Sequence, residues 1–260
     1  MRATSLLPRT ALALLLAMLG ARRADAQSSA IGAAPRVVDV AAVAAVPPLG
    51  LPGAHQRRNA AAAIAAVQAL GLPIVASALA TVRHPGRFEV IEAAMAPAGV
   101  PRVILDGAHN PHGAAALADA LRERGERPVL VIAISADKDA AAIAAALAPA
   151  VRAVIATRYR QERALEPAQL AAVFRRLQSP SDDAPGSPVW GASDRDASPP
   201  VTAAPDLRAA LALAAAHGEP VLIAGSLFLV GEARTLLLGA PTDPMLVTDP
   251  SVGPPGARSR

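Results

Sequence analysis

From about residue 100 onward, short runs of apolar, largely β-branched residues alternate with longer segments whose apolar positions recur every three or four residues. The short runs are Arg102–Leu105, Pro128–Ile134, Val151–Thr157 and Pro220–Ala224. The longer segments predict helices over about 112–125, 139–148, 166–177, 206–217 and 227–238. Strands that are apolar throughout, separated by helices of this length, indicate βαβ units and a parallel sheet covered on both faces. The expected fold class is therefore α/β, a doubly wound, mostly parallel sheet of about five or six strands. Its crossovers should be right-handed, and a ligand should bind at the carboxyl ends of the strands.

Elsewhere the pattern weakens. Residues 27–50 are a lead-in rich in Ala and Pro, and a helix is expected from about Gln56 to Leu70, stopped by Gly71 and Pro73. Arg83-His84-Pro85-Gly86 reads as a turn. Residues 178–205 read as a polar, Pro-rich surface loop with Trp190 on a short edge strand, and the tail after Gly239 as frayed. At the other end, Arg2 and Arg9 precede an apolar run from Thr10 to Ala21, followed by Ala24-Asp25-Ala26. Such a run is too short to span a bilayer but suits the core of a signal peptide, so residues 1–26 form a signal-like leader. Arg22 and Arg23, directly behind the apolar run, oppose export.

Composition narrows the partners. Hydrophobic residues make up 53% of the 260, aromatics only 2%, and net charge is +4. Alanine supplies nearly half of the apolar count, so Leu, Val and Ile must build the core. No basic block occurs and no aromatics interleave with the arginines, which argues against nucleic-acid binding. With no Cys there is no disulfide framework, thiol nucleophile or Cys-based zinc site.

The segment Val103-Ile-Leu-Asp-Gly-Ala-His-Asn-Pro-His-Gly113 carries the most chemistry. A buried strand ends at Asp106, Gly107 permits a tight turn, and Asn110-Pro111 opens a helix as cap and first residue. Capping accounts for Asn110 and Pro111 but not for Asp106 and His109 together. An Asp at a strand's end can bond ribose hydroxyls, and the helix N-terminus beside it favours an anion.

This D-G-A-H-N-P-H-G segment resembles the C-terminal-domain motif of folylpolyglutamate and dihydrofolate synthases, relatives of the Mur peptide ligases. Four further segments resemble that family in the expected order. They are His55-Gln56-x-x-Asn59-Ala60-Ala61, Pro85-Gly86-Arg87-Phe88-Glu89, Ala136-Asp137-Lys138-Asp139, and Gly225-Ser226-Leu227-Phe228-Leu229-Val230-Gly231. Together they span about residues 50–240.

The resemblance implies ATP-dependent ligation of glutamate to a folate or pteroate through an acyl phosphate, with ATP and magnesium as cofactors. Such chemistry needs charge clamps and positioning rather than a protein nucleophile. It implies that Asn59 contacts adenine, Arg87 the phosphates and Asp106 the ribose. His109 and Ser226 are candidates for phosphate or incoming glutamate, and Lys138 for a glutamate carboxylate. Without the resemblance, Asn59 and Arg87 read as solvated groups, Lys138 as part of a helix-start charge cluster, and Ser226 as a helix cap. His55, His84 and His217 read as surface residues near turns. His109 and His112 are spaced i, i+3 but lack a third ligand, so zinc is not indicated.

The family's phosphate-binding loop, G-x-x-x-x-G-K-[ST], needs a lysine that this chain does not have, for its one lysine is Lys138. The family's magnesium ligands are also missing. The expected division is a leader at 1–26, a lead-in with a remnant helix of the ATP-binding central domain at 27–80, a Mur-ligase-type C-terminal domain at 81–240, and a tail at 241–260. The chain is expected to be a truncated ligase, inactive alone, with folate or dihydropteroate and glutamate as substrates and a separately encoded N-terminal half as partner. No nucleic acid and no membrane span are expected, and the location is expected to be cytoplasmic. The alternative is an exported, non-catalytic binding domain that retains a nucleotide-like pocket.

Overall fold

The computed structural model describes residues 38–178 and 199–239. The leader, most of the 178–205 loop with Trp190, and the tail from residue 240 lie outside the described residues. Among the described residues three helices come first: α1 (Val40–Ala44), α2 (Ala54–Ala69) and α3 (Ala76–Thr81). Then follow β1 (Glu89–Glu92), β2 (Arg102–Leu105), α4 (Pro111–Glu123), β3 (Val129–Ile132), α5 (Ala140–Leu147), β4 (Ala153–Ala156), α6 (Pro167–Arg176), β5 (Val201–Ala203), α7 (Leu207–Ala215), β6 (Val221–Ala224) and α8 (Leu227–Leu238).

The six strands lie in the order β1-β2-β6-β3-β4-β5. All neighbours are parallel except β1, which runs antiparallel to β2 with Glu89 opposite Leu105. The doubly wound sheet expected from the pattern is thus present. Alternation along each strand divides its side chains between two layers. Ile104, Leu130, Ile132, Val154 and Leu222 pack against α4, α5 and α6, while Val103, Leu105, Val129, Val131, Ile155 and Ile223 pack against α7 and α8. Both faces are dry, which is why the strands read as unbroken apolar runs.

Helix starts follow local chemistry. Asn110 Oδ1 accepts from Gly113 N–H at 2.8 Å, and Asp139 and Asp206 cap α5 and α7 in the same way. The structure departs from the sequence reading in four short elements. β1 carries a charge at each end and exposes one face, so its apolar signal is two residues long. β5 occupies Val201–Ala203, inside the segment read as loop, and is held as an edge strand by pairing with β4. Helix α1 lies within the lead-in, capped by Asp39, and α3 follows the Gly71–Pro73 stop.

Candidate functional site

The chain crosses from β2 to β3, steps outward to β4 and β5, and returns to insert β6 between β2 and β3. The connection leaving β2 therefore goes to one face and the connection leaving β6 to the other. The region beside their carboxyl ends is the usual ligand position in such sheets. Two hydrogen bonds join the turns that line it. Asp106 N–H donates to Ile223 O at 3.0 Å, and Gly225 N–H donates to Ala108 O at 2.9 Å. At Gly225, whose φ is +97°, the backbone comes so close that a Cβ would run into Ala133 O, and a Cβ on Gly107 would displace the Leu227 side chain.

The loop before β1 is tied to the same turns. Arg87 N–H donates to His84 O at 3.0 Å, forming the turn read at 83–86, and Gly107 N–H donates to Gly86 O at 2.8 Å. Asp106 Oδ2 accepts from Phe88 N–H and Oδ1 from Ala108 N–H, both at 2.9 Å. Its carboxylate thus staples the Pro-Gly-Arg-Phe loop to the turn after β2. Burial raises its pKa, and the two amides and the charges of Arg87 and His109 oppose that rise. Phe88 is held with φ at +47°, in the left-handed region a bulky residue rarely enters. Its ring is buried, with the Arg124 guanidinium 5.2 Å from the ring centroid.

Arg87, Asp106 and His109 therefore converge. His109 Nδ1 lies 2.7 Å from Gly107 O, which can only accept, so Nδ1 carries a proton and Nε2 is left for a ligand. Asn59, half-buried on α2, places its Nδ2 3.4 Å from Gln56 Oε1. One turn earlier on that helix stands His55. The reading of His55 as a surface residue needs correction: it is half-buried, its ring folded back over Gly53 toward Ala120 of α4. Burial is the largest influence lowering its pKa, followed by the charges of Arg58, Arg87 and His112, with Asp119 opposing. Arg58 of α2, Arg87 and His112 of α4 are thus near enough to His55 to influence it, and the two arginines are charges of the kind that can attract a phosphate.

Two candidates serve local roles. Ser226 is buried and caps α8, its Oγ accepting from Phe228 N–H at 3.1 Å. Lys138 pairs with Asp137 at 2.8 Å; Lys138 first, then Arg163, holds the Asp137 carboxyl below its ordinary range. Near β3 and β4 the buried Ser135 Oγ and Tyr159 OH lie 2.6 Å apart, and Tyr159 stacks on Phe228 at 5.4 Å. Glu89, Phe88, Tyr159 and the cluster around His55 escaped the sequence reading as functional elements. For Glu89 the signal was present as the last residue of the Pro-Gly-Arg-x-Glu segment. Among the described residues, no group of three or more His, Cys, Asp or Glu side chains could hold a metal ion.

Residues 86–227 match the family described as Mur ligase, glutamate ligase domain, and the chain belongs to that family. Within it, the chain matches the C-terminal part of folylpolyglutamate synthases. It is 34% identical over 191 residues to a bifunctional folylpolyglutamate synthase/dihydropteroate synthase assigned in Haloferax volcanii, covering 70% of this chain and 20% of that protein. It is also 34% identical over 167 residues to the dihydrofolate synthase/folylpolyglutamate synthase of Mycobacterium tuberculosis, covering 62% and 32%. A structure of the Mycobacterium tuberculosis folylpolyglutamate synthase, complexed with ADP and AMPPCP, superimposes with a TM-score of 0.57 at 32% identity, over 75% of this chain and 42% of that one. The chain spans a fifth to a third of the length of these curated relatives.

Proposed function

We propose that the chain is the C-terminal, nucleotide- and glutamate-facing part of an ATP-dependent ligase that adds glutamate to a folate or pteroate. In that reaction the terminal phosphoryl group of ATP passes to the folate carboxylate, leaving ADP. The glutamate amine then attacks the acyl carbon, phosphate departs, and the amine's proton goes to solvent. Residues 27–80 contribute a piece of the central domain and 81–240 the C-terminal domain. Asn59 meets adenine, Asp106 the ribose, and Arg87 the phosphates. Each Asp106 oxygen has lone-pair capacity beyond the backbone bond it accepts. His109 Nε2, Ser226 and Lys138 are assigned to phosphate or glutamate; for Lys138 this requires exchanging Asp137 for a substrate carboxylate.

The observation that carries this reading is the convergence of Arg87, Asp106 and His109 beside the carboxyl ends of β2 and β6, with Arg58 and Arg87 also near His55. The described residues do not supply magnesium ligands. In this reading both magnesium and a phosphate-binding loop come from outside the described residues, and residues 1–260 by themselves should not turn over. No helix among the described residues is long and apolar enough to cross a membrane. A cytoplasmic location follows from where folate and ATP chemistry takes place.

Calorimetry and a coupled phosphate-release assay test this together. With no triphosphate cradle, ADP should bind no tighter than about millimolar, and Arg87→Ala should weaken it. Glutamate, ATP and folate should give no product above a blank. A micromolar constant indifferent to Arg87→Ala would refute the site, and turnover by the chain alone would refute the need for a second half.

A further inference from the structure

Arg87 is exposed, yet both residues flanking it are buried and tethered. On one side, Gly86 N–H donates to Glu89 Oε2 at 2.7 Å. The same carboxylate accepts from Arg234 Nε of α8, at 2.9 Å to Oε2 and 3.2 Å to Oε1. Their side chains keep only 21% and 29% exposure, so solvent screens this pair less than a surface pair. Gly86 has φ at +66°, and a Cβ there would meet Val230 Cγ1 at 2.8 Å, so the loop lies flat on α8. On the other side, Phe88 is held by Asp106 and by Arg124, whose Nε donates to Glu126 Oε1 at 2.7 Å. Arg102 of β2 pairs with Glu126 Oε2 at 2.8 Å.

We propose that the Glu89–Arg234 pair positions Arg87. It locks the Gly86 peptide onto α8, so that the exposed guanidinium projects from a fixed backbone toward the nucleotide phosphates. This rests on the reading of Arg87 as a phosphate contact. The pair binds no ligand itself. Without it, the Gly86 N–H loses the ion-paired carboxylate that fixes it to α8, and the loop is held only by the Gly107 N–H on Gly86 O, the Arg87 N–H on His84 O and the anchors of Phe88. A preorganised cation spends less ordering entropy on its ligand, and that difference is the whole contribution of the pair.

The test uses the full chain, with Glu89→Gln, Arg234→Met and Arg234→Lys, each alone and combined with Arg87→Ala. Backbone 15N relaxation without ligand reads the positioning directly. In the parent chain the Arg87 and Phe88 amides should have order parameters near 0.85, falling toward about 0.6 or below in Glu89→Gln and Arg234→Met while the β3 and β6 amides stay rigid. Arg234→Lys, which keeps the charge, should restore most of the order. NMR titration with ADP then reads the consequence. Glu89→Gln should weaken binding roughly 3- to 10-fold when Arg87 is present and not at all when it is alanine, because coupled residues fail to add. A rigid Arg87 amide in Glu89→Gln overturns the proposal, as does an equal loss of affinity in the Arg87→Ala background. If Glu89→Gln does not fold, Arg234→Met and its Lys counterpart decide by the same two readings. If the parent chain binds no ADP, the nucleotide reading fails, and the relaxation data alone still decide whether the pair fixes the loop.

Discussion

Removing one hydroxyl from the Ser135–Tyr159 pair should cost more than removing both. Tyr159 has no exposed surface, Ser135 has 8%, and their oxygens lie 2.6 Å apart where the loops after β3 and β4 meet. Tyr159→Phe keeps the ring against Phe228 but leaves Ser135 Oγ unpaired in dry surroundings, and Ser135→Ala does the same to Tyr159 OH. A buried hydroxyl left without a partner costs about 1–3 kcal/mol, whereas losing donor and acceptor together forfeits only the net bond, about 0.5–1.5 kcal/mol. Each single variant should therefore lose about 1–3 kcal/mol. The double variant should lose no more than either single one. At roughly 2–4 °C per kcal/mol for a chain of this size, the single variants melt some 2–12 °C lower. Equilibrium urea unfolding at pH 7, followed by circular dichroism with m held common, measures all four proteins. Losses that add to within about 0.5 kcal/mol would refute the reasoning.

Two further outcomes follow from neighbouring groups. Thr157 Oγ1 is buried at the end of β4 with no hydrogen-bond partner among the described residues, so Thr157→Val should stabilise the fold by about 1 kcal/mol, and a lower urea midpoint would contradict that. The folded chain protonates His55 only below its ordinary value of 6.5, because of burial first and then Arg58, Arg87 and His112. Between the lowered value and 6.5 the unfolded chain holds the extra proton, so stability should fall as pH drops through that window; His55→Gln should flatten the profile, and an unchanged slope would sink the assignment.

Much of this architecture is written locally. Val129–Ile132 and Val221–Ala224 are buried on both sides, and that two-sided burial is what an unbroken apolar run records. Caps at Asn110 and Ser226 were legible because each bonds within its own first turn. Elements stabilised by distant partners were not legible. Val201–Ala203 has three residues and no periodicity of its own, and only β4 makes it a strand. Glu89 and Arg234 are 145 residues apart, so no spacing rule could join them. The left-handed backbone of Phe88 has no sequence signal, since its cause lies in the Asp106 carboxylate 18 residues later. His55 looked superficial for the same reason, because its neighbours come from the Arg87 loop and α4 as well as from its own helix.

The place of β6 also governs how the chain can acquire its shape. Among the described residues, the strand latest in chain order occupies the middle of the sheet, between β2 and β3. Until Val221–Ala224 emerge, β2 and β3 share no edge, and each presents unpaired amides beside apolar faces, the condition that invites wrong pairing. Contacts that bridge more than a hundred residues, such as Val103 with Val221, make a topology of high contact order and slow closure. Assembly therefore ends with one strand being threaded between two waiting halves. A chain stopped short of Ala224 is left as two open half-sheets, with no smaller version of the fold to fall back on.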